Sequence, residues 1–108
     1  KPKNDSEGVL QDVHWSMGAF GYFPTYAIGS IYASQIYKKM LKQNPKFEDD
    51  IAKGDYSKVL EWLRKKIHKH GRSMTAEEII KKCCGQPLSS QDFVDYLNEK
   101  YSKIYDFS

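Results

Sequence analysis

Pro24-Thr25-Tyr26-Ala27-Ile28-Gly29-Ser30-Ile31-Tyr32-Ala33-Ser34-Gln35-Ile36-Tyr37 is the stretch that decides the fold. Proline suits the first helical turn, where its missing N–H costs nothing. The next strong stop is Asn44-Pro45, so one helix is expected from Pro24 to about Gln43. Its sequence is apolar nearly all round, which predicts burial on most sides. Gly29, Ser30, Ala33 and Ser34 form a small-residue face that another helix could approach closely. The 108 residues offer few partners for such a helix, which implies neighbours outside this sequence.

C-terminal to it, a short helix is expected at 45–53, closed by Gly54. Asp55 or Ser57 then caps a helix that carries Tyr56, Val59, Leu60, Leu63 and Ile67 at helical spacing, with Arg64, Lys65 and Lys69 toward solvent and Gly71 as the stop. Thr75 with Glu78 three residues on is a capping-box pattern. The helix it starts turns Ile79, Ile80, Cys83 and Cys84 inward and ends at Gly85 and Pro87. Ser89 or Ser90 caps the last helix, which packs Phe93, Val94, Leu97, Tyr101 and Ile104. No strand pattern competes. The expected class is all-α: an irregular segment over 1–23, broken by Gly8, Gly18 and Gly21, then about five helices over 24–108.

Composition narrows the function. Seventeen basic against fourteen acidic residues give a net charge of +3, with the lysines spread through the helices, which argues against nucleic acid as a partner. No apolar run approaches the roughly 20 residues of a membrane span, and no signal peptide is visible. The two cysteines, adjacent at 83 and 84, make no disulfide framework and point to a reducing, cytoplasmic setting. They read as buried thiols on a helix face and not as a strained vicinal disulfide. His68 and His70 sit at i and i+2, on different sides of a helix, so they do not form a metal pair.

The chemistry concentrates in Gly8-Val9-Leu10-Gln11-Asp12-Val13-His14-Trp15 and Gly21-Tyr22-Phe23-Pro24-Thr25-Tyr26. An amide, a carboxylate, an imidazole, an indole and two phenols are costly to bury unsatisfied, so such a segment lines something. Spacing alone reads His14 as a structural histidine and Asp12 as a turn cap. Tyr22 and Tyr26, four apart, share a helix face if the helix begins slightly early. A phenol is protonated at neutral pH and can donate to a developing oxyanion, although core packing is the plainer role for either tyrosine.

The octet at 8–15 fits the G-x-x-Q-D-x-H-W motif and resembles the carboxypeptidase Taq family of metallocarboxypeptidases. Gly21 to Gly29 is also similar to that family, as are Thr75-Ala76-Glu77-Glu78, Gly85-Gln86-Pro87-Leu88 and Tyr96-Leu97 with Lys100-Tyr101. The resemblance covers essentially the whole chain. It implies a long, all-helical, usually dimeric enzyme with a deep groove and a metal held by an H-E-x-x-H helix plus a downstream glutamate. The three histidines here cannot write that motif, so the chain is expected to correspond to the C-terminal portion, with no metal ligand of its own and zinc or cobalt bound elsewhere in the enzyme. The resemblance further implies Tyr26 as oxyanion donor and His14 as a hydrogen-bonding partner to the peptide substrate. Gln11, Asp12 and Trp15 would line the closed end of the groove, Asp12 orienting an arginine that receives the terminal carboxylate, with Tyr22 as the alternate phenol. The competing expectation is a non-catalytic helical module that binds peptides or a protein partner.

Overall fold

A computed structural model describes residues 1–106 of the chain. Among them there are six α-helices and no strand: α1 (Val13–Ser16), α2 (Pro24–Gln43), α3 (Phe47–Ala52), α4 (Ser57–Lys66), α5 (Ala76–Cys84) and α6 (Gln91–Tyr105). Single 3-10 turns at Asp5–Glu7, Val9–Gln11 and His68–His70 complete the regular structure. The N-terminal segment is therefore irregular only between short turns. Asn4 caps the first of them by accepting from the Glu7 N–H, and Asp12 caps α1.

α2 is the axis on which α3, α5 and α6 pack. Pro24 stands in its first turn, and its extended C-cap Asn44 donates its N–H to the Met40 carbonyl. The fully buried apolar residues are Met40 of α2, Phe47 of α3, and Ile80 and Cys83 of α5. Beside them lies one buried polar side chain, Gln35. Its Nε2 donates to the Pro87 carbonyl at 2.9 Å and its Oε1 accepts from the Ser89 N–H at 3.0 Å. Gln35 thereby fastens the α5–α6 connection to the middle of α2. Lys38 adds a surface tie to Asp92 and Asp95 of α6 at 2.8 and 2.9 Å, and these two carboxylates push its ammonium up to about 12. Solvent screens exposed pairs of this kind, so they contribute little beyond register.

The expected helix-start and helix-stop signals hold closely. Gly54 closes the turn after α3 at φ +78°, the Thr75–Glu78 capping box is complete, and Gly85 ends α5 in the left-handed region at φ +82°. At the open choices, the cap residues Tyr56 of α4 and Ser90 of α6 make no side-chain cap bond; the residue before each serves instead, Asp55 Oδ1 accepting from the Ser57 N–H at 2.9 Å and Ser89 Oγ from the Gln91 N–H at 3.2 Å. The 3-10 turn at His68–His70 lengthens α4's reach to Gly71.

Burial differs from the sequence expectation in three places. The first two turns of α2 are exposed, Tyr26 and Ile28 included, and only Gln35 and Met40 are fully buried along its length. In α6, Phe93 and Leu97 pack while Val94, Tyr101 and Ile104 face solvent; Leu60 of α4 and Tyr56 just before that helix are exposed too. The reason is geometric: α3, α5 and α6 cover only the C-terminal part of α2, so apolar faces that run past this crossing meet nothing. The radius of gyration is 18.0 Å, against about 13 Å for a compact chain of this length. The accessible surface of 8497 Å² likewise exceeds the roughly 6,200 Å² of a compact protein of this mass. Among the described residues, no helix is long and apolar enough to cross a membrane.

Candidate functional site

The turn of α1 is fixed by one carboxylate oxygen. Asp12 Oδ1 accepts from the His14 backbone N–H at 2.9 Å and lies 2.9 Å from the His14 ring Nδ1. Partial desolvation pushes the Asp12 carboxyl up, but the bonds from the His14 backbone and ring outweigh it and leave it below the ordinary carboxylate value. The chain then reverses: Ala19 donates its N–H to the His14 carbonyl at 2.7 Å, and Gly21 takes φ +76°, which an L side chain rarely adopts. This reversal lays α1 against the first turn of α2.

His14 Nε2 consequently sits 3.1 Å from the Tyr26 hydroxyl, across twelve positions of sequence. Tyr22 stacks on the imidazole with centroids 5.1 Å apart and planes 19° apart, while the Tyr26 ring meets it edge-on at 5.9 Å. Phe23 closes the third side at 5.0 Å, and Trp15 packs edge-to-face on Phe20 at the same separation. His14 and Asp12 retain 21% and 23% of their side-chain exposure, whereas Tyr26 retains 56%. The imidazole is thus clamped, and the phenol is held at one end with its other side open.

The sequence-predicted residues divide accordingly. Asp12, His14, Tyr22 and Tyr26 converge into one constellation, and the two tyrosine rings meet edge-to-face at 5.6 Å. Gln11 turns back to donate its Nε2 to the Ser6 carbonyl, and Trp15 lies beside the cluster with Phe20. Phe20 and Phe23 were not singled out in the sequence; their only signal was adjacency to the motif tyrosines. The thiols of Cys83 and Cys84 are free, with burial pushing Cys83 up and Cys84 to about 12. Among the described residues, no group of three or more histidine, cysteine, aspartate or glutamate side chains can hold a metal ion.

The arrangement offers an exposed hydroxyl hydrogen-bonded to an imidazole beside a wall of aromatic rings. Residues 1–101 match the family model described as carboxypeptidase Taq (M32) metallopeptidase. Carboxypeptidase 1 of Bacillus subtilis is 44% identical over 104 residues, which is 96% of this chain and 21% of that protein. Thermostable carboxypeptidase 1 of Pyrococcus furiosus is 42% identical over 94% of this chain and 20% of its own length. The crystal structure of the M32 carboxypeptidase from Deinococcus radiodurans superposes with a TM-score of 0.88 at 37% identity, covering 99% of this chain and 22% of that one. The chain spans about one fifth of the length of the relatives it matches.

Proposed function

Because this chain belongs to the carboxypeptidase Taq (M32) family, we propose that it forms one wall of the peptide groove of a metal-dependent carboxypeptidase that releases C-terminal amino acids from peptides. The observation that carries the reading is the chain of contacts Asp12–His14–Tyr26, assembled from the family's motif octet and the start of α2. In this reading Tyr26 donates its hydroxyl to the oxyanion that develops on the peptide carbonyl. Such donors act strongly because they are already oriented in a site that excludes water. His14 steadies that hydroxyl and reaches the substrate, and the aromatic rings around it keep the imidazole from turning.

Gln11, Asp12 and Trp15 line the closed end of the groove, with Tyr22 forming its floor beside Tyr26. Asp12 Oδ2 makes no hydrogen bond to the described residues, which leaves that oxygen for the arginine that receives the substrate's terminal carboxylate. A metal ion, zinc or cobalt, supplies Lewis-acid chemistry when bound. Among the described residues no cluster could hold it, and the family resemblance gives its ligands to an H-E-x-x-H helix and a downstream glutamate elsewhere in the enzyme. The exposed apolar face of α2 and α6 is assigned to the remainder of the enzyme and to a second copy of it.

Hydrolysis of short peptides with added zinc or cobalt tests this, comparing the 108-residue chain with the same chain joined to the upstream polypeptide of its family. Turnover only in the longer protein is expected. Turnover by the 108 residues alone, or none by the longer protein, overturns the reading.

A further inference from the structure

We propose that Asp12 is a positioning residue: it fixes His14 as the Nδ1–H tautomer and so sets the direction of the His14–Tyr26 hydrogen bond. Asp12 Oδ1 accepts from the His14 backbone N–H and lies 2.9 Å from the ring Nδ1. An ionised carboxylate has no proton to give, so the ring nitrogen is the donor in that contact. A neutral imidazole carries one N–H, and with it committed at Nδ1 the Nε2 atom holds a lone pair.

Nε2 is 3.1 Å from the Tyr26 oxygen, so the phenol O–H donates to it. The hydroxyl therefore keeps its proton and points it at the Nε2 lone pair until a stronger acceptor competes for it. An oxyanion is such an acceptor and a neutral carbonyl is a weaker one, so the arrangement favours donation late in the reaction. Tyr22 stacks on the ring and Phe23 packs tilted against it, which together with the Asp12 contact opposes the flip that would exchange the two nitrogens. The catalytic consequence rests on the reading of Tyr26 given above. The tautomer does not.

The test is ¹⁵N NMR of the histidine ring in this chain at about pH 8.5, above the ordinary histidine range. His14 is assigned by the loss of its signal in His14→Gln. The wild-type chain should show a protonated Nδ1 and an unprotonated Nε2; the reverse pattern, or an even mixture, overturns the proposal. Asp12→Ala should move the ring to Nε2–H or to a mixture, while Tyr26→Phe should leave it Nδ1–H. A tautomer that changes in Tyr26→Phe but not in Asp12→Ala assigns the control to tyrosine and refutes the role of Asp12. The wild-type spectrum decides the first point even if the alanine variant loses the α1 turn. In the enzyme, full turnover by Tyr26→Phe removes the catalytic reading and leaves the tautomer assignment standing, which tells the two failures apart.

Discussion

His14 Nε2 and the Tyr26 hydroxyl meet at 3.1 Å, joining a four-residue helix to the first turn of a twenty-residue one. The phenol is the exposed member of this pair and the imidazole the clamped one, and the proposed reading gives donation to tyrosine and support to histidine.

Replacing Tyr26 with phenylalanine should therefore lower kcat of the carboxypeptidase by about 100- to 1,000-fold with little change in KM. Tyr22→Phe should cost less than tenfold, because Tyr22 contributes its ring face to His14. Steady-state kinetics on one peptide series decides both, and equal losses in the two variants would show that the acting phenol has been misplaced.

Gln35 should be the most sensitive polar position for stability. Truncation to alanine leaves the Pro87 carbonyl and the Ser89 N–H without their partners, at a cost of roughly 2–3 kcal/mol. Urea denaturation should register this as a fall in midpoint. Glutamate at the same position keeps the acceptor for Ser89 but turns a carboxylate oxygen toward the Pro87 carbonyl, so it should destabilise as well.

The capping box of α5 should give the chain an acid limb. The bonds from the Thr75 backbone N–H and hydroxyl hold the Glu78 carboxyl below 4.5. A depressed folded value means that the stabilisation is complete above 4.5 and is lost as the pH falls through the lower folded value. Thermal melts between pH 7 and 2.5 should lose part of this limb in Glu78→Gln, and Thr75→Ala should cost about 1 kcal/mol at neutral pH.

Cys84, pushed to about 12 by desolvation and by the neighbouring Cys83, should resist alkylation at pH 8 in the folded chain and react once denaturant is added. Equal rates in both states would show that α5 does not stay packed against α2.

The 108-residue chain should self-associate in solution, because Ile28, Tyr26, Phe23 and Tyr22 leave an apolar surface open. Sedimentation equilibrium should report a dimer or larger species that weakens in Ile28→Glu. A monomer at high concentration counts against the prediction.

The helices were legible because their signals are local. Pro24 at a helix start, the Thr75–Glu78 box and Gly85 in a left-handed cap act within a turn of themselves, so a linear reading finds them. The motif residues were legible for the same reason: an unusual mixture of polar groups within eight positions needs no partner to be noticed. Burial was not legible. The apolar spacing of α2 and α6 states which face seeks cover, but how far along each helix the cover extends depends on where α3, α5 and α6 cross, and that is set by packing between residues about fifty apart. Tertiary structure likewise decided that Gln35, in the apolar stretch of α2, is a buried clasp. It also decided which of two phenols meets the imidazole, because the reversal at Gly21 brings Tyr26 to Nε2 and lays Tyr22 flat on the ring. Sequence alone determined the elements and the chemical groups. Distances between groups on different elements, and the hydrogen-bond directions that follow, came only with the fold, because they depend on crossings that no local preference encodes.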